Sequence, residues 1–406
     1  MITFDNSFFF SQKGFNFLND NNYKKNLSLA LKKSDILLQE LTDGKNEVLQ
    51  SFTKAYQNKI RNFNIELDIK NKKKIVVGLG GSSSGAKALS FYMKDKVIYF
   101  DNLDYDYLKN FFLKENIKDY FFFIISKSGD TFETLAILNL LLLESKKKSE
   151  YNIFKSMLII TEKRESILSI FAKKNNIKLL EHNPNIGGRF SILSETGMLP
   201  FLDKNILTEE ASEKYLKLIN NFDDELSPAK NASIILTCLE NKKLHIYCNL
   251  IYNYRLKHFS YWFHQLHAES LGKNGKGMTP ITSICPKDHH SMMQLYLDGP
   301  RDKFFNIFSP PDESFYESFG KEDFYNIENN TPLDLLKKQF KSVIEVFNEK
   351  QIPNRVINIS NHRDPLNLIE LFAYFLIETI LLGYMMDINP YDQPSVQHIK
   401  NKIFKG

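Results

Sequence analysis

Residues 73–93 read KKIVVGLGGSSSGAKALSFYM, and the order of residue types in this stretch decides the fold. Two lysines lead into Ile75, Val76 and Val77, a short β-branched run of the kind that forms a strand buried on both faces. Glycines and serines from Gly78 to Gly85 interrupt it, and from Ala86 the apolar residues recur at helical spacing. A strand, a small polar turn and a helix aim backbone N–H groups and a helix N-terminus at one point, which suits a phosphate dianion. The nucleotide-binding patterns do not fit. With Gly78 and Gly80 as the first two glycines of G-x-G-x-x-G, Ser83 stands at the third; with Gly80 and Gly85 as a P-loop, Ala86 stands where the lysine belongs.

Outward from this unit the same rhythm recurs. FFFIIS (121–126), KSGDT and FETLAILNLLLLES (132–145) form a second strand, turn and helix, with Ser126, Lys127, Ser128 and Thr131 in the turn. By itself that turn also reads as helix capping, with Asp130 and Glu133 as a capping box. MLIITE (157–162) gives a third strand. The alternation restarts with SIILTCLE (233–240), LHIYCNL (244–250), a helix across 254–271, ITSIC (281–285) and VINIS (356–360) before a long apolar helix. Apolar strands alternating with helices indicate an α/β protein with two doubly wound, mainly parallel-sheet domains in series. The expected segmentation is a helical segment over 1–70, a first domain over 71–205, a second over 206–390 and a closing segment over 391–406, with the crossing between domains inside 201–230.

A chain of 406 residues with 43% hydrophobic and 25% charged residues is long enough for more than one core. Its +5 charge arises from 53 basic and 48 acidic residues spread along the whole length, so no nucleic-acid-binding arm is expected. The lysines at 72–74 and 146–148 read as solvated ends of strands and helices. Three cysteines, Cys238, Cys248 and Cys285, show no metal-ligand spacing and cannot all pair, which points to a reducing, cytoplasmic setting. The opening MITFDNSFFFSQKGF lacks the pattern of an export signal. The apolar stretch 366–386 carries Glu370 and Glu378, so a buried helix is expected there and no membrane span.

Four further stretches carry residue types suited to chemistry. YWFHQLHAESLGKNGKG (261–277) places Trp262, Gln265 and Glu269 on one helical face ending at Gly272. GGRFSILSETGMLP (187–200) offers Arg189 after two glycines, PKDHHSMMQLYLDGPRDKFF (286–305) offers His289 and His290, and INPYDQPSVQHIK (388–400) offers Gln393 and Lys400. Taken singly, Glu269 also reads as a surface carboxylate and Arg189 as a turn cap. The adjacent histidines diverge and have no third ligand at helical spacing, so no metal site is expected.

Both phosphate turns together look like the sugar-isomerase (SIS) domain. With the four other stretches, in order from 74 to 400, the chain resembles the glucose-6-phosphate isomerase family. The Glu269–Lys273 stretch is similar to the family's Glu-Ser-Asn-Gly-Lys with Leu271 in place of asparagine, and the Arg189 stretch to Gly-Gly-Arg-Tyr-Ser with Phe190 in place of tyrosine. Two histidines follow Lys-Asp where the family has one after Gly-Gln. The resemblance implies reversible isomerisation of glucose 6-phosphate and fructose 6-phosphate without a cofactor. Glu269 would be the base, Arg189 would stabilise the enediolate, and His290 with Lys400 would open the ring. Gly81, Ser82, Ser126, Lys127, Ser128, Thr131 and Gln393 would hold the substrate. Alignment on Gln294 favours His290, with His289 as the alternative. The resemblance also implies a homodimer in which the histidine crosses between subunits. Two other readings stay open: an isomerase that also accepts mannose 6-phosphate, and a non-catalytic phosphosugar-binding regulator.

Overall fold

The computed structural model describes residues 2–62, 69, 72–147, 151–204, 206, 209–220, 227–312, 331–396 and 399. Ten strands are seen among them: β1 Ile2–Asp5, β2 Lys73–Val77, β3 Ile98–Phe100, β4 Tyr120–Ile125, β5 Met157–Thr161, β6 Lys178–Glu181, β7 Ile246–Ile251, β8 Thr279–Ile284, β9 Lys303–Phe308 and β10 Asn354–Ile359. The chain divides into two compact units, Gly44–Glu213 and the combination of Met1–Asp43 with Lys214–Gly406. The α/β fold class expected from the sequence is the one observed.

In the Gly44–Glu213 unit the sheet order is β3-β2-β4-β5-β6, and every pair is parallel. Strand β4 is buried along all six residues, which explains its unbroken apolar run: helices cover a parallel sheet, so neither face needs polar residues. Alternate β4 side chains Phe122 and Ile124 pack with Ile75, Val77, Ile137, Leu141, Ile159 and Leu168 in one core. The strand order reverses between β2 and β4, making their carboxyl ends the topological switch point at which such sheets bind ligands. Both serine-rich turns leave the sheet there. Lys74 departs from the solvated-end reading. It is buried, and its ammonium donates to the Pro200 carbonyl at 2.8 Å and pairs with Asp203 at 2.6 Å, because a β2 side chain facing inward must bring its charge to a partner.

The second unit has the order β1-β10-β9-β7-β8, parallel except for β1, which pairs antiparallel with β10 in the register Ile2↔Ile359 to Asp5↔Val356. The apolar stretch near the C-terminus forms helix Pro365–Met385, which is mostly buried inside this unit. Glu378 within it is buried and forms a two-point pair with Arg355 of β10, at 2.5 and 2.8 Å. Asn306, Asn231 and Tyr247 accept the remaining Arg355 donors at 2.7–2.8 Å, so each buried charge is matched.

The expected 1–70 segment is divided. Residues 1–43 belong with the second unit, because β1 completes its sheet, Phe4 stacks on Tyr374 at 4.1 Å and helix Asn21–Thr42 packs on helices Pro228–Lys242 and Pro365–Met385. Residues from Gly44 belong with the first, and the boundary near 213 falls inside helix Glu209–Asn220.

Candidate active site

The first serine turn follows β2 as a short 3-10 turn, Gly80–Ser82, and leads into helix Ser84–Met93. Gly81 and Ser82 are half-buried and Ser83 is buried. Gly81 is required sterically: a Cβ there would lie 2.1 Å from the Gly188 carbonyl carbon, a contact no packing adjustment of backbone on backbone relieves. This crossing presses the Gly188–Leu193 turn, which carries Arg189, onto the serine turn. Ser191 Oγ then donates to the Gly81 carbonyl at 3.2 Å. Arg189 is 1% exposed, and its guanidinium lies 4.9 Å from the Phe190 ring centroid.

The second turn follows β4. Gly129 adopts φ +73°, a left-handed conformation that folds the loop back so that its N–H donates to Ser126 Oγ at 3.1 Å. Ser126 is buried, with its hydroxyl 2.8 Å from that of Thr131, and Ser128 Oγ accepts the Asp130 N–H at 3.3 Å. The Asp130–Glu133 capping box is replaced by a link to the next strand-to-helix connection: Asp130 accepts the Ile167 N–H at 2.9 Å and pairs with Arg164 at 2.8 Å. The Lys127 ammonium donates to the Pro184 carbonyl at 2.7 Å, joining this turn to the segment that precedes Arg189. Burial pushes Lys127 below the ordinary lysine range and the Arg189 charge adds to that, with Glu162 opposing. Gly81, Ser82, Ser126, Lys127, Ser128, Thr131 and Arg189 are therefore all placed in the Gly44–Glu213 unit, linked by the Gly81–Gly188 and Lys127–Pro184 contacts.

Glu269, His290 and Gln393 belong to the other unit. Helix Lys257–Leu271 ends at Gly272, with Trp262 buried and Glu269 half-buried in the last turn, where Gln265 Nε2 donates to it at 3.1 Å. The loop that follows is fastened to the C-terminal stretch: Lys273 pairs with Asp392 at 2.7 Å and Lys276 Nζ donates to the Met386 carbonyl at 2.7 Å. Gln393 is exposed and adjoins that ion pair. The histidines diverge as adjacent side chains must. His289 lies 2.7 Å from the Tyr252 hydroxyl, and burial followed by the charge of His290 holds it below the usual histidine range, with Asp288 opposing; His290 is exposed. Lys400 lies outside the described residues.

Lys273, the last residue of the Glu269–Lys273 stretch, holds the Gln393 segment. Three residues had no sequence signal: Tyr56, His182 and Glu195 form a hydrogen-bonded cluster behind the Arg189 loop. A His-Glu pairing 13 positions apart matches no local periodicity, so spacing gave no cue.

Comparison with known proteins bears on the whole arrangement. The chain is 31% identical over 342 residues to the glucose-6-phosphate isomerase of Methanocaldococcus jannaschii, covering 80% of this chain and 82% of that one. It is 30% identical over 349 residues to a probable glucose-6-phosphate isomerase of Methanococcus maripaludis, covering 80% and 76%. In fold it is similar to a hypothetical protein of Thermus thermophilus (TM-score 0.77, 24% identity, 100% and 99% of the two chains). It is also similar in fold to a glucose-6-phosphate isomerase of Chlamydia trachomatis (TM-score 0.67, 18% identity, 88% and 72%). The phosphoglucose isomerase family pattern matches residues 27–286, a span that takes in both serine turns, Arg189 and Glu269; this chain belongs to the phosphoglucose isomerase family.

Proposed function

We infer that this protein interconverts glucose 6-phosphate and fructose 6-phosphate by moving one proton between C2 and C1 through an enediolate. The observation that carries the reading is the pair of serine-rich turns at the carboxyl ends of β2 and β4, with the Arg189 loop pressed onto the first by the Gly81–Gly188 crossing. That is an anion-binding arrangement with a permanent cation carried on the loop that touches it.

In the proposed cycle the Gly81–Ser82 turn, Ser126, Lys127, Ser128, Thr131 and Gln393 hold the phosphate. Ser126 and Lys127 also brace the second turn through Thr131 and Pro184. His290 and Lys400 move the proton that opens the ring. Glu269 then takes the proton from C2 of the aldose and returns it to C1, the hydroxyl proton passes from O2 to O1, and Arg189 offsets the charge on the enediolate oxygens without exchanging a proton itself. The exposure of His290 supports its donation across a homodimer interface, whereas His289 is occupied by Tyr252. Because both oxidation levels of the product are already present in the substrate, no cofactor enters the scheme.

The test is an assay supplying fructose 6-phosphate and following glucose 6-phosphate through a coupled dehydrogenase. Turnover is expected, and folded protein without turnover would overturn the reading. Light scattering on the eluted protein checks the dimer, for which a monomeric mass at working concentration is the contrary result.

A further inference from the structure

We propose that His182 and Glu195 are positioning residues that clasp the base of the loop carrying Arg189 and so fix where the guanidinium stands. This rests on the reading of Arg189 given above. His182 follows β6, where its N–H donates to the Thr161 carbonyl at 2.8 Å, and Glu195 opens the short helix Glu195–Met198 after the loop. The two residues stand 13 positions apart, and their side chains meet at 2.6 Å between Nδ1 and Oε1. The contact therefore closes the loop at its entry and its exit.

Each remaining bond of the pair bears on the same segment. His182 Nε2 lies 3.1 Å from the carbonyl of Ile186, the residue before Gly187. A carboxylate and a carbonyl both only accept, so both ring nitrogens of His182 face acceptors at the two ends of the loop. The Glu195 carboxylate also accepts the Asn183 N–H at 3.1 Å and the Tyr56 hydroxyl at 2.8 Å, while Thr196 Oγ1 lies 3.1 Å from His182 Nδ1. Gln57, from the helix that carries Tyr56, donates to the Leu193 carbonyl at 2.8 Å and holds the far side of the loop. A cavity of about 440 Å³ lined in part by Tyr56, Lys59, Asn183 and Glu195 opens behind the cluster, so close packing does not hold the loop from that side. A buried charge pair is a poor source of net stability, because desolvation offsets its attraction. Its value here is geometric: removing one partner frees a loop whose Gly188 must stay against Gly81 and whose arginine must meet a transient charge.

The test compares His182→Gln and the isosteric Glu195→Gln with the parent and with Arg189→Ala. Readouts are backbone amide exchange over residues 187–191 and steady-state kinetics in the coupled assay, at a temperature where circular dichroism shows every variant folded. Both clasp variants should exchange those amides about tenfold faster, the effect of losing one charge-assisted bond. Their kcat should fall about tenfold to a hundredfold with KM within about twofold, as expected when a transition-state group is misplaced. Unchanged exchange in Glu195→Gln overturns the clasp, as does a rise in KM at unchanged kcat. If Arg189→Ala keeps full kcat while the clasp variants still exchange faster, the clasp stands and the assignment of Arg189 falls.

Discussion

Glu269 occupies the last turn of its helix, half-buried and hydrogen-bonded to Gln265, a position from which a carboxylate can reach a ligand without being fully desolvated. Glu269→Gln keeps the shape and the Gln265 contact but removes the base. kcat is expected to fall by about 10² to 10⁴ with KM little changed; weaker binding at unchanged kcat would contradict the role. His290→Ala should slow turnover of cyclic substrate more than of open-chain substrate, measured by stopped-flow on the two forms. If His289→Ala produces that pattern instead, the ring-opening residue is the one bonded to Tyr252. At Gly81 the constraint is steric. A methyl group would overlap the Gly188 backbone, so Gly81→Ala should lower stability by about 1–3 kcal/mol, read as a shift in the urea midpoint, and should reduce kcat by disturbing the Arg189 loop. A neutral result would mean the two turns do not need their observed contact.

At the level of elements, helix Lys257–Leu271 carries a second group with a measurable signature. His267 is fully buried between the rings of Tyr247 and Phe263, at 4.8 and 5.3 Å between centroids. Among the described residues neither of its ring nitrogens has a hydrogen-bond partner. Burial, with the nearby His264 adding to it, pushes the ring down to about 3 from the ordinary 6.5. The folded state therefore resists a proton that the unfolded chain accepts. The contribution is complete above 6.5 and is lost as pH falls from 6.5 toward about 3. His267→Phe should fit the same aromatic slot, and its melting temperature should fall less steeply than the parent's across that window; parallel curves would show that His267 is not buried neutral. The helix itself was legible in the sequence because 261–272 carries one apolar face and a terminal glycine. The β4 strand was legible as an unbroken buried run, and the two turns as strand-to-helix junctions rich in serine. Strand β1 was not legible: four residues, ITFD, alternate buried and exposed over too short a span for a period to register, and their pairing partner lies more than 350 positions away. The Tyr56–Glu195 bond spans 139 positions, so it exists only once the sheet has brought its ends together. Such contacts belong to topology and leave no trace in local spacing.

For the whole molecule, the consequential feature is how the chain is threaded. It begins in one unit, leaves at Asp43 to build Gly44–Glu213 as a continuous stretch, and returns at Lys214 to finish the unit it began. The inserted unit has its own parallel sheet and its own core, so it contains what a domain needs to fold alone. The other unit depends on residues 1–43, because β1 covers the β10 edge and helix Asn21–Thr42 buries Tyr23, Ala30 and Leu37. Removing them exposes an unpaired strand edge, which templates association between chains. The proposed roles are also partitioned, with the phosphate turns and Arg189 on the inserted unit and Glu269, His290 and Gln393 on the other. A fragment spanning Gly44–Glu213 should accordingly unfold in a single cooperative urea transition, with an m value in proportion to its smaller buried surface, and should show no isomerase turnover at any concentration. Deletion of residues 1–43 from the full chain should instead give soluble aggregates by sedimentation velocity. A fragment that melts without cooperativity would mean that the inserted unit does not fold alone, and a truncated chain that stays monodisperse and active would mean that the two stretches of the discontinuous unit do not depend on one another as the β1–β10 pairing implies.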